Sequence, residues 1–127
     1  MNDALVYEEE SYQIRGALYE VYRVLGNGFL EEVYQNAVET ELKLRGIEFK
    51  AKQELRVIYK GNDCGLYIPD LICYGKIIVE LKAVETLHER HRAQLMNYLQ
   101  ATGYKLGLLV NFGMYPSIQI SRIVKER

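Results

Sequence analysis

Asp70, Glu80 and Lys82 stand in the run "YIPDLICYGKIIVELKAV", Tyr67 to Val84, whose other residues are apolar and β-branched enough to read as two strands. Strand side chains alternate faces, so Glu80 and Lys82 share one face with attachment points about 6.6 to 7 Å apart. Ile77, Val79 and Leu81 take the other. In an antiparallel pair, facing residues have numbers that add to a constant, and an odd-length turn centred on Gly75 makes that constant 150 and sets Asp70 opposite Glu80. A two-residue turn would shift the register by one and send Asp70 to the opposite face.

Two carboxylates held side by side repel, and keeping both ionised in a half-buried place costs several kcal/mol unless a cation is present. A divalent metal meets that need, because Mg²⁺ is commonly held by one or two carboxylates and keeps several waters, leaving room for a phosphate oxygen. A lysine beside such a site orients or deprotonates a water, or steadies charge developing on phosphorus. The trio suits metal-assisted phosphodiester hydrolysis. The plainer alternative is a salt bridge between Lys82 and Glu80, with Asp70 only a strand start after Pro69.

The elements that must carry these residues are legible in the flanking sequence. Ile14, Leu18, Val21 and Leu25 mark an amphipathic helix over Glu8 to Leu25, ending at Gly26-Asn27-Gly28. A second helix follows, with an expected apolar face of Leu30, Val33, Ala37 and Leu44 joined by Tyr34 and Val38, stopping at Gly46. "ELRVIYKG", "CGLYIPDLICYG" and "KIIVELKAV" predict three strands in an antiparallel meander. "LHERHRAQLMNYLQATG" returns to helical spacing, and "KLGLLVNFG" and "SIQISRIV" predict two last strands. The predicted fold is α+β, one mixed sheet flanked by helices, in the order α-α-β-β-β-α-β-β.

At 127 residues the chain is expected to form one domain spanning residues 1–127. With 49% apolar and 26% charged residues it has ordinary globular composition. A formal net charge of −1 gives no overall electrostatic case for nucleic acid, so any such case must be local. Lys43, Arg45, Lys50, Lys52, Arg56 and Lys60, with Arg90 and Arg92, offer a basic rim. The apolar runs are too short for a membrane span and the N-terminus is acidic, from which a cytoplasmic protein is expected. Cys64 and Cys73 are too isolated for a zinc site or a disulfide framework.

Pro69-Asp70 followed by Glu80-Leu81-Lys82 resembles the signature of the PD-(D/E)XK nuclease superfamily. Upstream, "GFLEEVY" carries Gly28, Glu31 and Tyr34 in the spacing of the GxxExxY family within it, and downstream "HRAQLMNYLQATG" is similar to that family's helix after the lysine. The resemblance runs from about Ile14 to Val124. It implies a restriction-endonuclease-like core and a Mg²⁺-dependent nuclease, with Mn²⁺ as substitute, acting on nucleic acid and most naturally on DNA. By position it implies Asp70 and Glu80 as central metal ligands with Glu31 and the Leu81 carbonyl, Lys82 as the catalytic lysine, and Gln94 over the site. His91 and Tyr98 are accessory candidates, and Gln53 falls where the family often has glutamine.

Each has a plainer reading: Glu31 as a first-turn acid favoured by the helix dipole, Tyr34 as a core aromatic, His91 as a packed and hydrogen-bonded histidine. The function expected is a metal-dependent deoxyribonuclease. The alternative is a catalytically silent nucleic-acid-binding or protein-assembly module keeping the fold, and a chain of this size is a candidate homodimer.

Overall fold

The computed structural model describes residues 6–126. Helices α1 (Glu8–Leu25) and α2 (Glu31–Leu44) precede five strands, β1 (Phe49–Ala51), β2 (Leu55–Tyr59), β3 (Asn62–Tyr67), β4 (Leu71–Cys73) and β5 (Ile77–Lys82). Helix α3 (Glu89–Thr102) and strands β6 (Leu106–Asn111) and β7 (Gln119–Val124) complete the chain. The expected order holds, although the stretch read as three strands resolves into five. Pro69 has no N–H for a ladder and separates β3 from β4, and the short β1 lies ahead of β2.

The continuous meander is corrected. Among the described residues, strands β2 and β3 pair only with each other, while the main sheet runs β1-β4-β5-β6-β7, antiparallel except for the parallel pair β5 and β6 that α3 connects. A register shift between Val57 and Ile58 bends this hairpin. Leu55 and Val57 pack with α3 on one face of the main sheet.

Each face of the sheet has its own core. Ile77, Val79 and Leu81 of β5 join Ile14, Leu18, Tyr34, Val38 and Leu42 from α1 and α2. Ile78 joins Leu95 and Leu99 of α3 with Tyr67, Ile72, Leu109 and Ile123. The even-numbered residues of β5, Glu80 and Lys82 among them, therefore belong to the α3 face.

The buried side of α2 is Tyr34, Gln35, Val38 and Leu42, which keeps Tyr34 and Val38 of the expected face but not Leu30, Val33 or Leu44. Leu30 is 80% exposed and Leu44 77%, and Val33 is also exposed. Tyr34, Val38 and Leu42 recur every four residues along one stripe, whereas the Val33, Ala37 and Leu44 series lies beside it. Among the described residues no helix is long and apolar enough to cross a membrane. Cys73 is buried, and burial pushes its thiol up to about 12, so it is inert packing; Cys64 is exposed and free.

The end of β5 is pinned. Asn111 Oδ1 accepts the N–H groups of Val84 and Gly113, each at 3.0 Å, and its Nδ2 donates to the Val84 carbonyl at 2.8 Å. A Cβ on Gly113 would stand 2.2 Å from the Val84 oxygen, so only glycine fits that approach.

Candidate functional site

The β4–β5 register is the one the catalytic reading requires: Leu71 faces Val79, Ile72 faces Ile78 and Cys73 faces Ile77. All three pairs add to 150, and continuing the ladder by one residue brings Asp70 to Glu80. The turn is odd in length because Tyr74 and Gly75 both take positive φ, 57° and 68°, closing on a bond from Lys76 N–H to the Cys73 carbonyl at 3.1 Å.

At the head of the hairpin the two acids interlock through the main chain. Asp70 N–H donates to Glu80 Oε1 at 3.0 Å, and Leu81 N–H donates to Asp70 Oδ2 at 2.7 Å. The Tyr67 hydroxyl donates to Glu80 Oε2 at 2.7 Å, and Gln35 Nε2 donates to the Asp70 carbonyl at 3.1 Å. Lys52 forms an ion pair with Asp70 Oδ1. Burial, and then the charge of Asp70, push the Glu80 carboxyl up to about 7.

Lys82 is half-buried and makes no ion pair among the described residues, so the Lys82–Glu80 salt bridge of the plainer reading does not form. It lines an open cleft of about 460 Å³ with Arg90, His91, Gln94 and Asn97 of α3. Gln94 is exposed on this cleft. His91 Nδ1 accepts the His88 N–H at 3.1 Å, so the neutral imidazole carries its proton on Nε2. Burial, with the charges of Lys82 and Arg90, lowers its pKa and keeps it neutral.

Glu31 comes from the opposite layer. As the first residue of α2 it lies beside the main chain of Ala83 at the exit of β5. Burial raises its carboxyl pKa, assisted by Asp70 and opposed by Lys82 and Lys52, so it shares one electrostatic field with the other site residues. Tyr34 is a core aromatic that also positions the turn before α2. Its ring stacks on Phe112 at 4.4 Å, and its hydroxyl bonds the Gly26 carbonyl and accepts the Phe29 N–H at 3.3 Å. Gly28, at φ 108°, lets the intervening turn close. The spacing of Gly28, Glu31 and Tyr34 thus fixes where α2 begins and where its first acid sits.

Tyr98 does not reach Gln94's cleft. Its ring stacks on Tyr67 at 3.8 Å and 1°, behind the tyrosine that bonds Glu80. Gln53 lies with Ile72, Gly75 and Tyr104 around a small pocket away from the carboxylates. Three residues of the site were not singled out from sequence for their part in it: Lys52, Tyr67 and Gln35. Gln35 had a signal, a polar residue beside Tyr34 on a buried stripe. Lys52 and Tyr67 depend on tertiary placement.

The donor set suits a hard cation. A carboxylate has about four lone-pair sites, so Asp70 and Glu80, each accepting two bonds, retain acceptor capacity. Lys82 O accepts from Phe112 N–H on the β6 side, so by strand alternation the Leu81 carbonyl points toward the Asp70 side. Among the described residues no three His, Cys, Asp or Glu side chains are grouped closely enough to hold a metal by themselves. Two carboxylates and a carbonyl leave the remaining positions to water and substrate oxygens, as Mg²⁺ sites do.

The raised Glu80 pKa carries a sign. Between its ordinary value of 4.5 and about 7 the folded protein binds more protons than the unfolded chain, so stability falls as pH rises through that window. Glu80→Gln removes this effect. Urea unfolding in EDTA is expected to show the variant gaining on the wild type by on the order of 3 kcal/mol between pH 4.5 and pH 8. A difference that does not change with pH would contradict this electrostatic account.

Residues 8–123 match the sequence profile of the PD-(D/E)XK nuclease superfamily. No curated protein matches the sequence. Among solved structures, that of SSO0001 superposes with a TM-score of 0.55 at 20% identity, over 74% of this chain and 49% of that one. This chain therefore spans about half the length of that protein, and the likeness is one of fold. Since the profile covers almost all of the chain, including both carboxylates and the lysine of the cleft, the protein belongs to the PD-(D/E)XK nuclease superfamily.

Proposed function

We propose that the protein is a metal-dependent nuclease of the GxxExxY type that hydrolyses phosphodiester bonds in DNA. The observation that carries the reading is the hairpin register, which brings Asp70 to Glu80 with Lys82 on the same face of the sheet. Asp70, Glu80 and the Leu81 carbonyl would hold Mg²⁺, or Mn²⁺ in its place, and Glu31 would assist through the ion's water. When bound, the ion supplies a Lewis acid for the phosphoryl oxygen and lowers the pKa of a water.

The remaining chemistry falls to the chain's own side chains. Lys82, in no ion pair among the described residues, offers its ammonium to the attacking water or to charge developing on phosphorus. Gln94 and the Nε2–H of His91 are neutral donors to backbone oxygens along the cleft, and Arg90 is its cationic flank. Tyr67, kept protonated because burial and the Glu80 charge raise its pKa, holds the Glu80 carboxylate in place. Gln35 holds the main chain of Asp70.

The test is incubation of the pure protein with supercoiled, linear and single-stranded DNA and with RNA, in Mg²⁺ or Mn²⁺ and in EDTA. Cleavage of DNA in either metal and none in EDTA is expected. Cleavage that persists in EDTA would contradict the metal-dependent reading, and metal binding without cleavage of any substrate would favour the silent nucleic-acid-binding module.

A further inference from the structure

We propose that Lys52 is the built-in counter-ion of the carboxylate pair: its ammonium sits where a divalent cation must approach Asp70, and it passes to a substrate phosphate when the cation enters. This rests on the metal-dependent reading above and adds a control on it.

The two ends of the Lys52–Asp70 ion pair are held differently. The Asp70 side chain is 12% exposed and fixed by Leu81 N–H, whereas the Lys52 side chain is 56% exposed. Lysine is therefore the partner that can leave into water without opening the core. Its main chain is nevertheless committed to this spot. Lys52 lies between β1 and β2 at φ 55°, a left-handed conformation that residues with a side chain rarely adopt, and its N–H bonds the Asp70 carbonyl at 3.2 Å. The loop is bent so that this ammonium meets this carboxylate.

Charge explains why. The Lys52 ammonium is paired with Asp70 and lies within the electrostatic reach of Glu80 and Glu31, so it faces all three acids. Lys82, the other ammonium at the site, pairs with none of them among the described residues. The two lysines thus divide the work, Lys52 neutralising the acids and Lys82 remaining free for the reaction. A dication entering at Asp70 repels Lys52, and the released ammonium, still tethered by its main chain, meets an incoming phosphate. Metal and substrate then strengthen each other's binding reciprocally.

The test is calorimetric titration of Mn²⁺ into the full chain without nucleic acid, comparing the wild type with Lys52→Met, Lys52→Gln, Lys52→Arg and the double variant Lys52→Met with Asp70→Asn. Removing the competing charge is expected to tighten Mn²⁺ binding about tenfold in both uncharged variants, while Lys52→Arg stays close to the wild type. The double variant is expected to lose binding. Uncharged variants that bind Mn²⁺ no better than the wild type, with Asp70→Asn still abolishing binding, would overturn the role of Lys52 and leave the metal site standing. Absence of Mn²⁺ binding in every variant, or binding that survives Asp70→Asn, would overturn both.

Discussion

Lys82→Met is expected to slow DNA cleavage by about 10³-fold while leaving Mn²⁺ affinity and folding unchanged, the size of loss that follows removal of a positioned acid–base or charge-stabilising group. Methionine keeps the length of the aliphatic stem, so the half-buried packing at the end of β5 survives. What disappears is the ammonium that lines the cleft with His91 and Gln94. A second readout separates this role from a structural one. Lys82 opposes the burial that raises the Glu31 carboxyl pKa, so its removal raises that pKa further and the acid limb of any residual activity moves to higher pH. A variant within tenfold of wild-type activity would remove Lys82 from the chemistry.

The second large effect is expected of Asp70→Asn, with cleavage lost by about 10³-fold or more and Mn²⁺ affinity lost by about a hundredfold, since a hard cation is left with one buried carboxylate. The amide oxygen of asparagine can still accept the Leu81 N–H bond that Asp70 Oδ2 accepts at 2.7 Å, so the hairpin is not undone. Loss of the negative charge also removes the Asp70 charge that, after burial, most raises the Glu80 pKa, and the variant is expected to fold as well as the wild type in EDTA. Circular dichroism and Mn²⁺ titration check the two halves of this expectation separately.

Apart from the three-residue β1, the strands of the main sheet were legible because alternation and turn residues report directly on which side chains face a core. The constant of 150 was one of two registers open around Gly75, and Tyr74 and Gly75 at positive φ are what realise it. The apolar face of helix α2 was read too broadly, for a physical reason. Leu30, Val33 and Leu44 are as apolar as Tyr34, Val38 and Leu42, and nothing local says which stripe meets the sheet. The exposed Phe29, Leu30 and Val33 instead flank Glu31 in sequence at the start of the helix. The separate β2–β3 hairpin was missed because its residues have ordinary strand chemistry, and only Pro69 signalled the break.

Within the site, the carboxylates and Lys82 could be read from spacing along one hairpin. Their supports could not. Lys52 reaches Asp70 across 18 residues, and Gln35 reaches it across 35. Tyr98 contributes through Tyr67 and not through Gln94, an arrangement set by how α3 lies across the β2–β3 hairpin.

The central claim is that Asp70 and Glu80 form one divalent-cation site in front of Lys82 and that this site cuts DNA. The most direct measurement is cleavage of a supercoiled plasmid by wild type and Asp70→Asn side by side in Mg²⁺, at protein concentrations matched by folded fraction. Nicked or linear product with the wild type and an intact plasmid with the variant is the result expected; equal cleavage by both proteins would contradict it.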